Sequence, residues 1–263
     1  MKIIQYLLTG LLFASVSIVN AQTDTLETKK IKDYTTGIVQ SASVGIKYRV
    51  KAGIAIGGTT PVPLPVEIRS IEGFRPKLNL SLEGEVVKSF NDKWALLFGL
   101  RLENKGMETE AKVKGYNITM YADDGKLSGL FTGSVKTTVN NSYLTLPVLV
   151  RWQPGERWGI KLGAYGSYLI QGQFSGSAYD GHLREGGPTG DFIEISRATY
   201  EFSDDLRRWN IGLQVGAEWR AFSHLIVSLD GMFGLNSIFR KDFDVITFEM
   251  YPMYAALSFG YEF

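Results

Sequence analysis

Cysteine is absent from the 263 residues. That excludes a disulfide scaffold, a Cys-ligated zinc site and an iron–sulfur centre. Histidine occurs only twice, as His182 and His224, which leaves little for imidazole acid–base or metal chemistry. An excess of one charge sign is also lacking. The 28 Lys+Arg face 27 Asp+Glu, a balance that argues against a nucleic-acid binder. Beyond the N-terminal segment, no stretch reaches the ~18 uninterrupted apolar residues of a spanning helix. What the chain does have is glycine (29 residues) and aromatics (13%), a mix that fits repeated strands and turns.

Residues 1–21 read as a signal peptide. Lys2 supplies the positive n-region, an apolar run follows, and Val19-Asn20-Ala21 offers a cleavage site before Gln22. An uncleaved membrane anchor is the alternative, disfavoured by the short run and the small residues at its end. No cysteine follows to carry a lipoprotein anchor. Residues 22–42 form a polar N-terminal tail, and 43–263 are expected to be one domain that could re-enter a membrane as a barrel.

From about residue 43 the pattern alternates with period two. One face carries Val44, Ile46, Tyr48 and Val50, then Leu78, Leu80 and Leu82, and so on to Phe259, Tyr261 and Phe263. The other face carries most of the charge. A helical period of 3.6 would scramble both sets, so these are strands. Eight are expected, each of the length of a tilted membrane-spanning strand. Short turns at 90–93, 153–157 and 222–224 alternate with long connections near 57–76, 105–140, 175–207 and 238–250. The fold class expected is all-β, an eight-stranded antiparallel up-and-down transmembrane β-barrel. The flanks Met107–Met120 and Lys126–Val139 alternate enough to carry two strands past the membrane, with Asp123-Asp124-Gly125 as the hairpin tip. Phe192–Ile195 has the same character.

Alternation alone does not say which face is outside. Tryptophan placement does. Trp94, Trp152, Trp158 and Trp219 flank the short turns on the apolar face, and Phe263 ends the last strand at that level. Aromatics at one height form an interfacial girdle. Glycines such as Gly99, Gly163, Gly212 and Gly216 fall among the charges, as a crowded eight-stranded lumen requires. The apolar face is therefore expected to meet lipid. The alternating aromatics at the C-terminus match the strand signal read by the barrel assembly machinery, which is thus one expected partner, with outer-membrane lipid the other.

The segments Gly53–Ile71 (GIAIGGTTPVPLPVEIRSI), Lys93–Met107 (KWALLFGLRLENKGM) and Ser142–Trp152 (SYLTLPVLVRW) resemble the PorT-like outer-membrane β-barrel family, often labelled "porin family protein". The resemblance runs from about residue 43 onward. It implies an integral protein of the outer membrane of a Gram-negative bacterium, with some relatives tied to a secretion or gliding apparatus. It supplies no catalytic motif, and "porin" here is a label rather than evidence of a channel.

The candidate site is the polar face. Lys47, Arg49, Lys51, Arg101, Arg151, Lys161 and Arg220 are expected to meet Glu83, Glu85, Glu103, Glu218, Asp230 and Glu262 in the lumen. In so narrow a barrel these charges must pair, giving a plug rather than a pore. The segment Pro61-Val62-Pro63-Leu64-Pro65-Val66-Glu67-Ile68-Arg69 is too apolar for a free loop and too proline-rich for a strand. It reads as a lid over the mouth or as a docking surface for an unidentified protein partner. Ser223-His224 sits in a short turn, and His182, with Ser177, Asp180 and Glu185 nearby, reads as a solvated loop histidine. Gly186–Gly190 has neither the lysine nor the helix of a phosphate cradle. No catalytic residue, metal or cofactor is expected. The expected role is a non-enzymatic one in structure or protein interaction, a secretion-linked one included, with a narrow channel and a lipid-modifying barrel enzyme as alternatives.

Overall fold

The computed structural model describes residues 45–263 apart from 123–124, 186–188, 244 and 247. The expected signal peptide and tail lie outside the described residues, as do the hairpin tip at Asp123-Asp124 and part of the glycine-rich run. Eleven strands follow in order: β1 (Ile46–Pro61), β2 (Ile68–Pro76), β3 (Asn79–Ser89), β4 (Trp94–Ala122), β5 (Gly125–Trp152), β6 (Trp158–Gln171), β7 (Phe174–Arg184), β8 (Phe192–Glu201), β9 (Trp209–Arg220), β10 (Leu225–Gly234) and β11 (Met250–Glu262). All of their ladders are antiparallel. No helix among the described residues is long and apolar enough to cross a membrane.

The expected count of eight is thereby corrected to eleven, and the physical reason is visible in the registers. Pro76 of β2 lies opposite Met107, and Ser81 of β3 opposite Glu103, on the same edge of β4. Phe174 of β7 and Leu169 of β6 likewise follow each other along one edge of β5. β8 continues the direction of β9 beside the same two strands. So β2, β7 and β8 prolong β3, β6 and β9 across short breaks at Lys77-Leu78, Gly172-Gln173 and 202–208. In the sequence 57–76 and most of 175–207 read as loops because prolines, glycines and polar residues blur their alternation.

Two buried asparagines repair the backbone at these breaks. Asn79 donates from Nδ2 to the carbonyls of Ala55 (3.3 Å) and Gly106 (3.1 Å) and accepts from Gly106 N at 2.6 Å. Asn141 Oδ1 accepts from Gln173 N at 3.0 Å. An unpaired backbone group buried here would cost about as much as a lost hydrogen bond, roughly 1–3 kcal/mol.

Following the ladders, β1 pairs with β3, β3 with β4, β4 with β5, β5 with β6, β6 with β9, β9 with β10, β10 with β11 and β11 with β1. The order is up-and-down and barrel-like, since the hydrogen bonds return to the strand they left. The turn before β4 is set by Asn91, whose Oδ1 accepts from the backbone N of Lys93 and Trp94 at 2.9 and 2.8 Å.

Within that ring the ordinary inside–outside rule is reversed. On β6, Lys161 is 0% exposed and its neighbour Leu162 is 61% exposed. On β1, Arg49 is 1% exposed and Val50 45%. Above the ring the rule returns to normal on the same strands. The inward residues of β4 run Arg101, Glu103, Lys105 and then Met107, Ala111, Val113. Its outward residues run Phe98, Leu100, Leu102 and then Glu108, Glu110, Lys112. β5 changes at the level where Asn141 faces Lys105 and Val139 faces Met107. A register shift between Val113 and Tyr116, with Gly115 at φ +65°, then moves the inward set to Tyr116, Ile118 and Met120. A glycine suits that bulge because its left-handed φ carries no Cβ penalty. The inner face of this outer sheet forms an apolar core with Phe131, Phe174, Leu183, Phe202 and, from the connection before β11, Ile238, Phe239 and Ile246.

Candidate functional site

All twelve lumen charges expected from the sequence outside β1's Lys51, together with Lys51 itself, lie in one connected network. Arg49 is its centre, reaching Glu85 and Glu218 through Nη1 at 3.2 Å each and Glu262 through Nη2 at 2.7 Å. Lys51 contacts Glu85 at 2.8 Å and Glu83 at 3.4 Å. Arg101 joins Glu83 at 3.4 Å to Glu103 at 3.1 Å. Lys161 holds Asp230 at 2.9 Å and Glu218 at 3.4 Å, and Arg151 approaches Glu218 at 3.6 Å. At the turn end Lys47 and Arg220 both meet Glu262 at 2.9 Å. These last two are partly exposed, whereas the rest are buried.

Neutral side chains complete the network. Gln214 Oε1 accepts from Arg101, and its Nε2 donates to Asp230 at 2.9 Å. Thr145 donates to Glu103 at 2.6 Å and contacts Ser167 at 2.8 Å. The sequence reading missed Lys105, which it assigned to a loop. Lys105 pairs with Glu103 at 2.9 Å, and its ammonium sits 5.1 to 5.7 Å from the ring centres of Tyr165, Tyr143 and Tyr254. Three ring faces around one desolvated ammonium are a favourable cation–π arrangement. The available signal was parity, since Lys105 continues the inward positions 101 and 103.

Space for this network comes from glycine. A Cβ on Gly216 would lie 2.2 Å from Asp230 Oδ1, and one on Gly212 2.3 Å from the Tyr165 ring. Gly45, which shares their parity, has a different cause. It precedes β1 at φ +77°, where backbone conformation selects glycine. Two crevices among the charges, one beside Arg49, Arg151 and Glu218 and one beside Lys51, Glu83 and Arg101, hold about 10 Å³ each. That is about one water's worth of space.

The aromatic positions fall where the ladders pair them. Trp94 lies opposite Trp152 and Trp158 opposite Trp219, all exposed at the turn end. Phe263 N donates to the Tyr48 carbonyl at 3.0 Å on the same rim. At the other end Tyr168 and Trp209 meet with ring centres 4.9 Å apart.

The Pro61–Arg69 segment is pinned rather than free. Ile68 N donates to the Pro65 carbonyl at 3.2 Å, and Lys114 N to the Glu67 carbonyl at 2.8 Å. Pro61, Leu64 and Ile68 line a cavity at the mouth; Val62, Pro63, Leu64, Val66 and Arg69 are exposed, and Pro65, Glu67 and Ile68 are half-buried. The expectation that 61–69 lacks strand structure is corrected at its ends, because Pro61 closes β1 and Ile68-Arg69 open β2.

His182 is corrected from a loop to a strand position. It lies in β7 opposite Glu194 and Thr132, with Phe192 against its ring. His224 Nδ1 contacts the Glu262 carbonyl at 2.8 Å, and its ring stacks on Tyr261. On the outer sheet Glu108 takes a hydrogen bond from Lys136 and a second contact from Arg75, which hold its carboxyl below the usual range. Burial pushes the Tyr116 and Tyr200 hydroxyls up. Among the described residues no group of His, Cys, Asp and Glu is placed to hold a metal ion.

The profile of the outer membrane protein beta-barrel domain family matches residues 21–240. No curated protein matches the chain. Among solved structures it is similar to Ail, the attachment invasion locus protein of Yersinia pestis, solved with the heparin analogue sucrose octasulfate. That likeness has 10% identity over 84% of this chain and 100% of that one, at a TM-score of 0.37. It is similar to OprG from Pseudomonas aeruginosa at 13% identity, over 82% and 95% of the two chains, with a TM-score of 0.32. The COG4313 outer membrane channel from Pseudomonas putida F1 gives 11% identity, 92% and 100% coverage and a TM-score of 0.30.

Proposed function

Because this chain belongs to the outer membrane protein beta-barrel domain family, we propose that it is a non-enzymatic outer-membrane protein with a closed lumen that presents its outer sheet for interaction. The observation that carries this reading is the change of polarity along β4 and β5. A large apolar side chain left in water forgoes about 1.5–3 kcal/mol. Ten of them would cancel the whole stability of an ordinary domain, about 5–15 kcal/mol. The belt of exposed Leu, Val, Ile, Phe and Trp therefore belongs in lipid, and it ends where Glu108, Glu110 and Lys112 begin to face outward.

The lumen reading rests on pairing and on space. Each buried charge has an opposite partner within 4 Å, and the crevices between them are water-sized. Barrels with aqueous channels have about sixteen or more strands, whereas about eight leave room only for side chains. Within the family, the segments Gly53–Ile71, Lys93–Met107 and Ser142–Trp152 support a PorT-like protein of a Gram-negative outer membrane, and residues 1–21 support export with removal of that segment. Entry into the membrane would use the assembly machinery acting on β11. A secretion apparatus is one setting for the outer sheet.

The test is conductance in planar lipid bilayers. The purified chain is expected to give no stable step on the nanosiemens scale. A reproducible step that vanishes on denaturation would replace the plug with the channel alternative.

A further inference from the structure

A cavity of about 320 Å³ opens at the outer mouth, above Lys105 and its tyrosines. Its walls come from the end of β1, the Pro61–Ile68 segment, the inward face of β2, the inward faces of β4 and β5 above the polarity change, Phe174 of β7, and the chain entering and opening β11. Leu64, Ile68, Phe74, Met107, Val135 and Met250 are among its apolar lining residues. The polar side chains of the wall are threonines and Tyr116, and no lining side chain carries a charge at neutral pH. The shape is built in. Thr59 N donates to Met107 Sδ at 3.2 Å, and Gly58 leaves room for that sulfur, since a Cβ there would lie 2.6 Å from it and 3.2 Å from Phe74.

Cavities of about 150 Å³ lined by Leu, Ile and Phe stay dry and accept benzene. This one is about twice that size but open at one side, where Leu64, Ile71 and Phe74 stay half exposed, and it falls at the lower end of the range for small-molecule sites, about 300–1,000 Å³. At ~30 Å³ per water-sized atom it holds about ten carbons. Flexible thioethers from Met107, Met250 and Met253 can follow an irregular chain better than a rigid ring system. We propose that this cavity binds an unbranched alkyl chain of about ten carbons, with any polar head left in water at the open side. The site lies in the wall of the outer sheet, so it stands whether or not the lumen conducts.

The source of the chain is either a free amphiphile outside or a bilayer lipid, and one experiment separates them. The full exported chain in lipid nanodiscs is photolabelled with diazirine-bearing decanoic acid in one arm. In the other arm the disc lipid itself carries the diazirine in its acyl chain. Adducts are mapped by mass spectrometry. The expected result is saturable labelling at Leu64–Phe74, Met107–Tyr116 and Phe248–Met253, reduced at least fivefold by Val135→Phe and competed by unlabelled decanoic acid but not by acetate. Labelling from the acid arm assigns a soluble amphiphile; labelling from the lipid arm assigns a bilayer chain. Absence of mouth adducts in both arms overturns the proposal, as does labelling that decanoic acid does not compete. Should Val135→Phe fail to give the folded, heat-modifiable band, the wild-type competition decides alone.

Discussion

Arg101 is held on three sides inside the ring, by Glu83, Glu103 and Gln214. Removing it leaves Glu83 with Lys51 alone and Glu103 with Lys105 alone, in a buried set now one cation short, and breaking a buried pair costs about 3–5 kcal/mol. Arg75 pairs with Glu108 across β2 and β4 with its side chain 76% exposed, and exposed pairs are worth about 0–1 kcal/mol. Arg101→Ala is therefore expected to lower the urea midpoint of the refolded protein strongly, and Arg75→Ala hardly at all. Equal effects of the two would contradict the buried network. Period-two parity makes Arg49, Glu83, Arg101 and Asp230 legible as one set in the sequence alone. It says nothing about which cation meets which anion. Those partners, such as Arg49 and Glu218, are far apart in sequence, and only closure of the sheet brings them within reach.

β4 crosses two solvents, and its outward residues record the crossing. Phe98 lies in the apolar belt, while Thr119, on the same face near the tip, contacts Ser128 of the neighbouring strand in water. A lysine in the middle of a barrel's lipid face costs about 2–4 kcal/mol. Surface changes away from special features stay within about 0.5 kcal/mol. Phe98→Lys should destabilise the protein in phospholipid vesicles by the first amount and Thr119→Lys by the second, both read from equilibrium unfolding. A harmless Phe98→Lys would mean that lipid does not touch this face. The belt was readable because alternation survives within each spanning strand. β2, β7 and β8 were obscured because Pro65, Pro76, Gly172 and Gly181 interrupt alternation where strands leave the ring, and pairing with β4 and β5 supplies what local pattern lacks.

The ring of ladders has a consequence for the molecule as a whole. The eight strands of that ring leave no free edge among themselves, although β2 and β8 end the sheet above it, so the ring is expected to resist detergent until heated. Unboiled protein is expected to migrate differently from boiled protein on a denaturing gel, with reducing agent irrelevant because no cysteine exists. Identical migration in a preparation that carries a β-type circular-dichroism spectrum would show that the ring does not hold as a unit.

Side-chain period, tryptophan placement and turn spacing determined the membrane-facing architecture by themselves, because each is a local property written into a few adjacent residues. The partners within the charge network, the tyrosine cage of Lys105, the outward continuation of three strands and the apolar cavity at the mouth were decided only in three dimensions. Each depends on residues from strands distant in the chain, and the distances between them are fixed by ladder register rather than by sequence spacing.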